Sequence, residues 1–325
     1  MKYIGKRISV LLLCVTLLLS ATAFFVGCDT PKNPTTADNN GITIICTNFA
    51  AFDFTRSMLA HYTENGGTGV VELMILGKPG QDMHSYEPTA QDIISLANAD
   101  VVVCTGAEGW LDAALKSSGN TVARVISMME VSDTVRIEDD HDHNHGREDC
   151  ALIGQDEHVW LSFYNANRIC FAVSEALRKV DEENKDIWHS AFLQYANDLA
   201  ALEGEYMNMM NSAVRYKVVV ADRHPFVYLF HDLNLTCLAA FPGCSSETSA
   251  SFETQAKLIQ YTKQWELPYI FVMEGSDGKV AEVVSAETGA EILTLNSLQV
   301  VTDYENTTYL SVMRQNLENL KKALQ

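Results

Sequence analysis

Basic residues are scarce in this chain of 325 residues: 23 Lys and Arg stand against 42 Asp and Glu, a formal charge of −19. A surface that acidic repels phosphate backbones and argues against nucleic acid as a partner. The eight cysteines include no C-x-x-C pair, so zinc-ribbon and thioredoxin-type readings fail. H-E-x-x-H is missing as well, which removes the helical zinc-protease signature. After the first 27 residues no apolar run is long enough to span a bilayer.

What is present begins with an export signal. Lys2, Lys6 and Arg7 precede the apolar stretch "ISVLLLCVTLLLSATAFFV", which ends in "FFVGC". A cysteine after a small residue at this point resembles the lipobox of bacterial lipoproteins, although Phe25 stands where Leu is usual. The resemblance implies cleavage before Cys28, diacylation of its thiol and attachment to the outer face of the cell membrane. Removing residues 1–27 leaves 20 basic against 42 acidic residues, a charge of −22. The stretch "DTPKNPTTADNNG" that follows has no large apolar residue and reads as a flexible tether over 28–41.

The body alternates strands and helices. "GITIIC", "VVELMIL", "DVVVC" and "RVISM" read as strands, with helices at "AAFDFTRSMLAHYT", "TAQDIISLANA" and "EGWLDAALKSS" between them. Thr89, just after Pro88, is the expected N-cap of the second helix. The theme repeats from "YKVVVAD" to the closing "TTYLSVMRQNLENLKKAL". Between the halves, from about Glu183 to Met210, apolar residues recur every three or four positions: Ile187, Phe192, Tyr195, Leu199, Leu202, Tyr206 and Met209. The expected fold is therefore α/β: an N-terminal lobe over 42–181, a long connecting helix over 182–213 and a C-terminal lobe over 214–325, each lobe with a mostly parallel sheet. Ligands of such sheets bind at the carboxyl ends of strands, which places the site in the cleft between lobes. Cys46 and Cys104 lie in apolar strands and read as core. Trp110, Trp160, Trp188 and Trp265 read as core or interface. Cys237 and Cys244 flank "LAAFPG" and are a candidate disulfide, since export exposes them to oxidant.

Three histidines, His84, His158 and His224, each fall before a helix in separate loops. Their contexts are "KPGQDMHSYEPTAQDI", "DEHVWLSFYNA" and "ADRHPFVYLFHDLNL". In order and in register, these resemble the three metal-binding signatures of the cluster A-I substrate-binding lipoproteins of metal ABC transporters, the zinc- and manganese-binding family. "EGSDGKVAEVVSAETGAEILTL" resembles that family's C-terminal helix and strand, so the likeness covers nearly all of the mature chain. It implies that His84, His158 and His224 bind a metal ion as cargo, that the protein hands it to an ABC permease, and that it works as a monomer. Neutral imidazoles suit Zn(II), and the lack of a charged oxygen ligand disfavours Mn(II).

The resemblance breaks at the fourth ligand. Where relatives carry Asp, Glu or His, this chain has "TLNSLQVVTD", with Asn296 or Gln299 in place according to register and Asp303 as a carboxylate further on. Glu247, in "CSSETSAS", is a further near-site candidate. Met83 and Glu157 stand where the family has Pro, and Ser162 where it has Asp. "EDDHDHNHGRED" carries His141, His143 and His145 and resembles a short form of the family's His-rich loop (138–149), a low-affinity metal collector or a solvated loop. His61, His189 and His231 have no comparable context. Two other readings stay open: a three-histidine zinc hydrolase or lyase, since three His and an open position are also a catalytic ligand set, and a surface adhesin, a role described within the family.

Overall fold

The computed structural model describes residues 41–134, 156–243 and 250–325. Cys28, the tether, His141, His143, His145, Cys244 and Glu247 lie outside them. In the first lobe β1 (Gly41–Cys46), β2 (Val70–Ile75), β3 (Val101–Cys104) and β4 (Arg124–Ser127) form a parallel sheet in the order β2–β1–β3–β4. In the second, β5 (Lys217–His224), β6 (Thr236–Pro242), β7 (Tyr269–Met273) and β8 (Glu291–Leu295) form another in the order β6–β5–β7–β8. The helices are α1 (Phe49–Glu64), α2 (Ala90–Ala97), α3 (Leu111–Ser118), α4 (Met128–Val131), α5 (Phe163–Val180), α6 (Lys185–Asn211), α7 (Val227–Asp232), α8 (Phe252–Gln264), α9 (Lys279–Thr288) and α10 (Tyr309–Leu324).

Strand alternation explains the layers. In β3, Val101 and Val103 point one way and Val102 and Cys104 the other, and all four are buried. Val102 and Cys104 pack with Leu96 of α2 and Leu111 of α3 in a small outer core. Val101 and Val103 face a large inner core with Phe54 of α1 and Ile169 of α5. The second sheet does the same. Val219, Ile270 and Val272 meet α8 and α9 outside, whereas Val218, Val220 and Phe271 join the inner core. Both lobes thus turn one sheet face to a single shared core, and residues 41–325 form one compact unit.

Helix α6 runs through that core. At 27 residues and about 1.5 Å per residue it is roughly 40 Å long. Its buried positions Trp188, Phe192, Tyr195, Leu199, Leu202, Tyr206 and Met209 form one stripe. Trp188 stacks on Tyr62 at 4.0 Å and donates to Asp181 at 2.8 Å, fixing the start of the helix to the first lobe. Tyr206 donates to the Met313 carbonyl at 2.7 Å, fixing its other end to α10.

Cys46 and Cys104 are buried as the apolar strands imply. Cys237 is a free thiol, partly buried on β6 and packed against the inner core. No described helix is long and apolar enough to cross a membrane.

A half-buried ion pair on α1 ties the lobes through its bonds to the approach of α10. Asp53 of α1 is fully buried, pairs with Arg56 and accepts from the Tyr309 backbone N–H of α10 at 2.6 Å. Arg56 also donates to the carbonyls of Tyr304 and Thr307. Replacing Asp53 with Ala strands a guanidinium in a largely dry setting and frees the first turn of α10. The expected loss is roughly 3 kcal/mol of unfolding free energy, read by urea denaturation.

Candidate metal centre

Gly80, at φ +80°, turns the chain after β2, and its N–H donates to the Val301 carbonyl of the other lobe at 2.7 Å. The following segment enters a 3-10 turn, Met83–Ser85, that contains His84. Pro88 and the Thr89–Asp92 capping box then start α2. The His84 ring itself lies outside the described residues.

His158 precedes a second 3-10 turn, Val159–Leu161, which leads into α5. Ser162, in place of the family's Asp, still caps that helix by accepting from Asn165 N. His158 is fully buried. Its Nδ1 lies 2.9 Å from Asp156 Oδ1, and its backbone N–H donates to the same oxygen at 2.8 Å. Trp160 packs edge-on against the ring at 5.2 Å. The other ring nitrogen, Nε2, lies 3.3 Å from Gln299 Oε1, across the cleft.

Gln299 has only one sensible orientation. Its amide NH2 faces the Asp82 carboxylate at 3.3 Å, so its oxygen faces His158. An oxygen there calls for a donor on Nε2, while Asp156 holds the Nδ1 proton. Both ring nitrogens thus face acceptor oxygens, an arrangement that favours the charged ring. Burial works against that charge, but the hydrogen bond and charge of Asp156, helped by Glu157 and Gln299, hold His158 above its ordinary range.

His224 ends β5, opposite Pro242 of β6. Its Nδ1 is buried with no hydrogen-bond partner, and Phe230 packs against the ring at 5.1 Å. Burial lowers its pKa to about 4; Asp156 opposes the shift and His158 adds to it. Two neighbouring imidazoles are thus shifted in opposite directions, His158 upward and His224 downward.

The remaining candidates are placed as follows. Gln299 faces the cleft. Asn296 Oδ1 accepts from Leu298 N at 2.8 Å and shapes the turn. Asp303 is exposed and caps its own turn through Asn306 and Glu305. His231 is exposed on α7. Among the described residues no three His, Cys, Asp or Glu side chains converge as a ligand set, the His84 ring not being one of them. A cavity of about 100 Å³ opens beside Gln299, lined by Met83, Glu108, Trp110, Glu157 and Trp160. Sequence reasoning named the histidines but not Asp156, Asp82 or Glu274. Only Asp156 had a visible signal, the acid two places before His158 in "DEH".

Two parallel-sheet lobes around a cleft with histidines at strand and loop ends define a two-lobed α/β binding protein. The chain belongs to the family described as zinc-uptake complex component A, periplasmic, whose profile matches residues 54–323. The zinc-binding lipoprotein AdcA of Streptococcus pneumoniae serotype 4 is 28% identical over 98% of this chain, which spans 61% of that relative's length. The high-affinity zinc uptake system protein ZnuA of Bacillus subtilis is 27% identical over 92% of this chain and 93% of its own. Among solved structures, the metal-dependent lipoprotein YcdH of Bacillus subtilis superposes with a TM-score of 0.70 at 26% identity, covering 87% of this chain and 99% of that one.

The opposed histidines give a pH signature. A buried ring whose pKa falls from 6.5 to about 4 stabilises the fold above pH 6.5 and loses that contribution as pH falls through about 4. In metal-free protein the stability difference between wild type and His224→Asn should shrink over that window. Proton-detected imidazole titration should find His224 neutral at pH 5.5 and His158 charged.

Proposed function

We propose that this protein captures Zn(II) outside the cytoplasm and delivers it to an ABC permease. The observation that carries the reading is the neighbouring pair of fully buried His158 and partly buried His224, with Gln299 Oε1 3.3 Å from His158 Nε2. Bonds of about 2.0–2.1 Å in a tetrahedron put neighbouring ligand atoms about 3.3 Å apart. Gln299 Oε1 is thus spaced to act as the fourth ligand beside His84, His158 and His224. Asp82 draws on the amide N–H and makes that oxygen a better donor. Three neutral nitrogens and an amide oxygen favour zinc over manganese.

Asp156 orients the His158 ring, fixes its tautomer and offsets the cation's charge. Zinc replaces the proton on Nε2, so capture releases a proton and weakens in acid. Several nearby carboxylates are already committed to hydrogen bonds, Asp156 to His158, Glu274 to Ser297 and Glu108 to the Thr105 and Gly106 N–H groups. That supports holding and release, without catalysis. Residues 1–27 act as an export signal and Cys28 carries the lipid that tethers the body over 42–325 to the membrane. The relatives named zinc-binding lipoprotein and zinc uptake protein support the same reading.

Isothermal titration of the mature protein tests it. One zinc per chain is expected, with affinity falling as pH is lowered from 7.5 to 5.5. Asp156→Ala should cost about 10- to 100-fold in affinity. Stoichiometric tight binding that survives Ala at all of His84, His158 and His224 would refute the ligand set.

A further inference from the structure

Leu298 sits at φ +63° and is 1% exposed. A buried leucine in the left-handed region is strained, and such strain persists only where the surroundings over-determine it. The next residue is Gln299. The turn that carries both is gripped on every side. Asn316 accepts from Asn296 N at 2.8 Å and donates to the Asn296 carbonyl at 2.8 Å. Ser297 is fully buried. Its N–H and Oγ–H both donate to the carboxylate of Glu274, at 2.8 and 2.5 Å. Ser297 Oγ accepts in turn from Gln299 N at 3.2 Å, and the Ser297 carbonyl accepts from Trp160 Nε1 at 2.8 Å. Glu274 follows β7 directly and donates its own N–H to the Leu295 carbonyl at the end of β8. The carboxylate thus joins two adjacent strand ends to the strained turn.

We infer that Glu274 is a positioning residue: through Ser297 it locks the strained Leu298 turn and so aims the Gln299 amide at His158. Glu274 need not touch the metal. Its carboxylate supplies the two acceptors that the Ser297 N–H and hydroxyl require together, which no neutral side chain of that size offers. Without it, Leu298 relaxes toward negative φ and the Gln299 backbone rotates with it. The oxygen then leaves Nε2 of His158, and its NH2 leaves Asp82. The consequence for zinc rests on the reading of the preceding subsection; the clamp itself does not.

The test uses metal-free and zinc-titrated mature protein carrying Glu274→Gln, with Ser297→Ala as the second variant should the first fail to fold. The Gln299 side-chain NH2 signals, assigned by their loss in Gln299→Ala, are recorded by nitrogen–proton NMR. The expected result is a move of both signals to the position of a free amide, with a 10- to 100-fold loss in zinc affinity. In a folded variant, unmoved Gln299 signals overturn the inference whatever happens to affinity. Moved signals with zinc affinity within 2-fold of wild type overturn Gln299 as a ligand and leave the clamp standing. A failure of the zinc reading would show separately, as wild-type binding indifferent to His158→Ala. A purely structural role for Glu274 would lower the melting temperature without moving the amide signals.

Discussion

Asp156 accepts twice from the same residue, at the backbone N–H and the ring Nδ1 of His158. That pair of bonds, inside a fully buried site, fixes the orientation of the ring and turns Nε2 toward Gln299 of the other lobe. Everything else in the cleft is arranged around that nitrogen. Gln299 places an oxygen against it, Asp82 orients the amide, and Trp160 packs edge-on against the ring. The charge that Asp156 stabilises on His158 in turn helps to keep His224 neutral.

The lobes are not independent bodies hinged on a helix. Each sheet has a private outer core, but both inner faces and the stripe of α6 share one continuous apolar core. Polar ties between the lobes reinforce it: Asp53 and Arg56 with the α10 approach, Gly80 with Val301 and Trp160 with Ser297. Because these ties cluster on the segments that carry His158, Gln299 and the 3-10 turn of His84, the geometry of the cleft is coupled to the packing of the whole body. A change at β7 or in the Asn296–Gln299 turn reaches the first lobe through two or three hydrogen bonds.

Of the described non-glycine residues at positive φ, Asn234, Glu266 and Leu298, it is Leu298 that adjoins the proposed site. Leu298 adopts a backbone conformation that leucine avoids, at a typical cost of about 1–3 kcal/mol. Glycine would sit there without strain. The leucine is instead buried in the inner core, so apolar packing and the Glu274–Ser297 bonds offset the backbone cost. Ser162 shows the opposite case. It stands where the family has Asp and accepts from Asn165 N, so the departure from the motif leaves α5 with a capped start.

The parallel α/β pattern was legible in the sequence because apolar alternation and N-caps are local signals. Thr89 before "AQDIISLA" and the three- and four-residue rhythm of α6 needed no tertiary knowledge. So were the three histidine contexts, each a short loop before a helix in a recognisable order. The fourth ligand position was not, since Asn296, Gln299 and Asp303 are equally plausible along the chain. Only folding separates them: Asn296 is consumed by its own turn, Asp303 by Asn306, and Gln299 alone faces His158. Glu274 carried no local signal either, because its role depends on β7 and β8 ending side by side. Sequence by itself thus determined the elements and singled out the histidines. The tertiary structure decided their surroundings and their partners, because burial and contacts between residues as far apart as Asp82 and Gln299 exist only once the chain is folded.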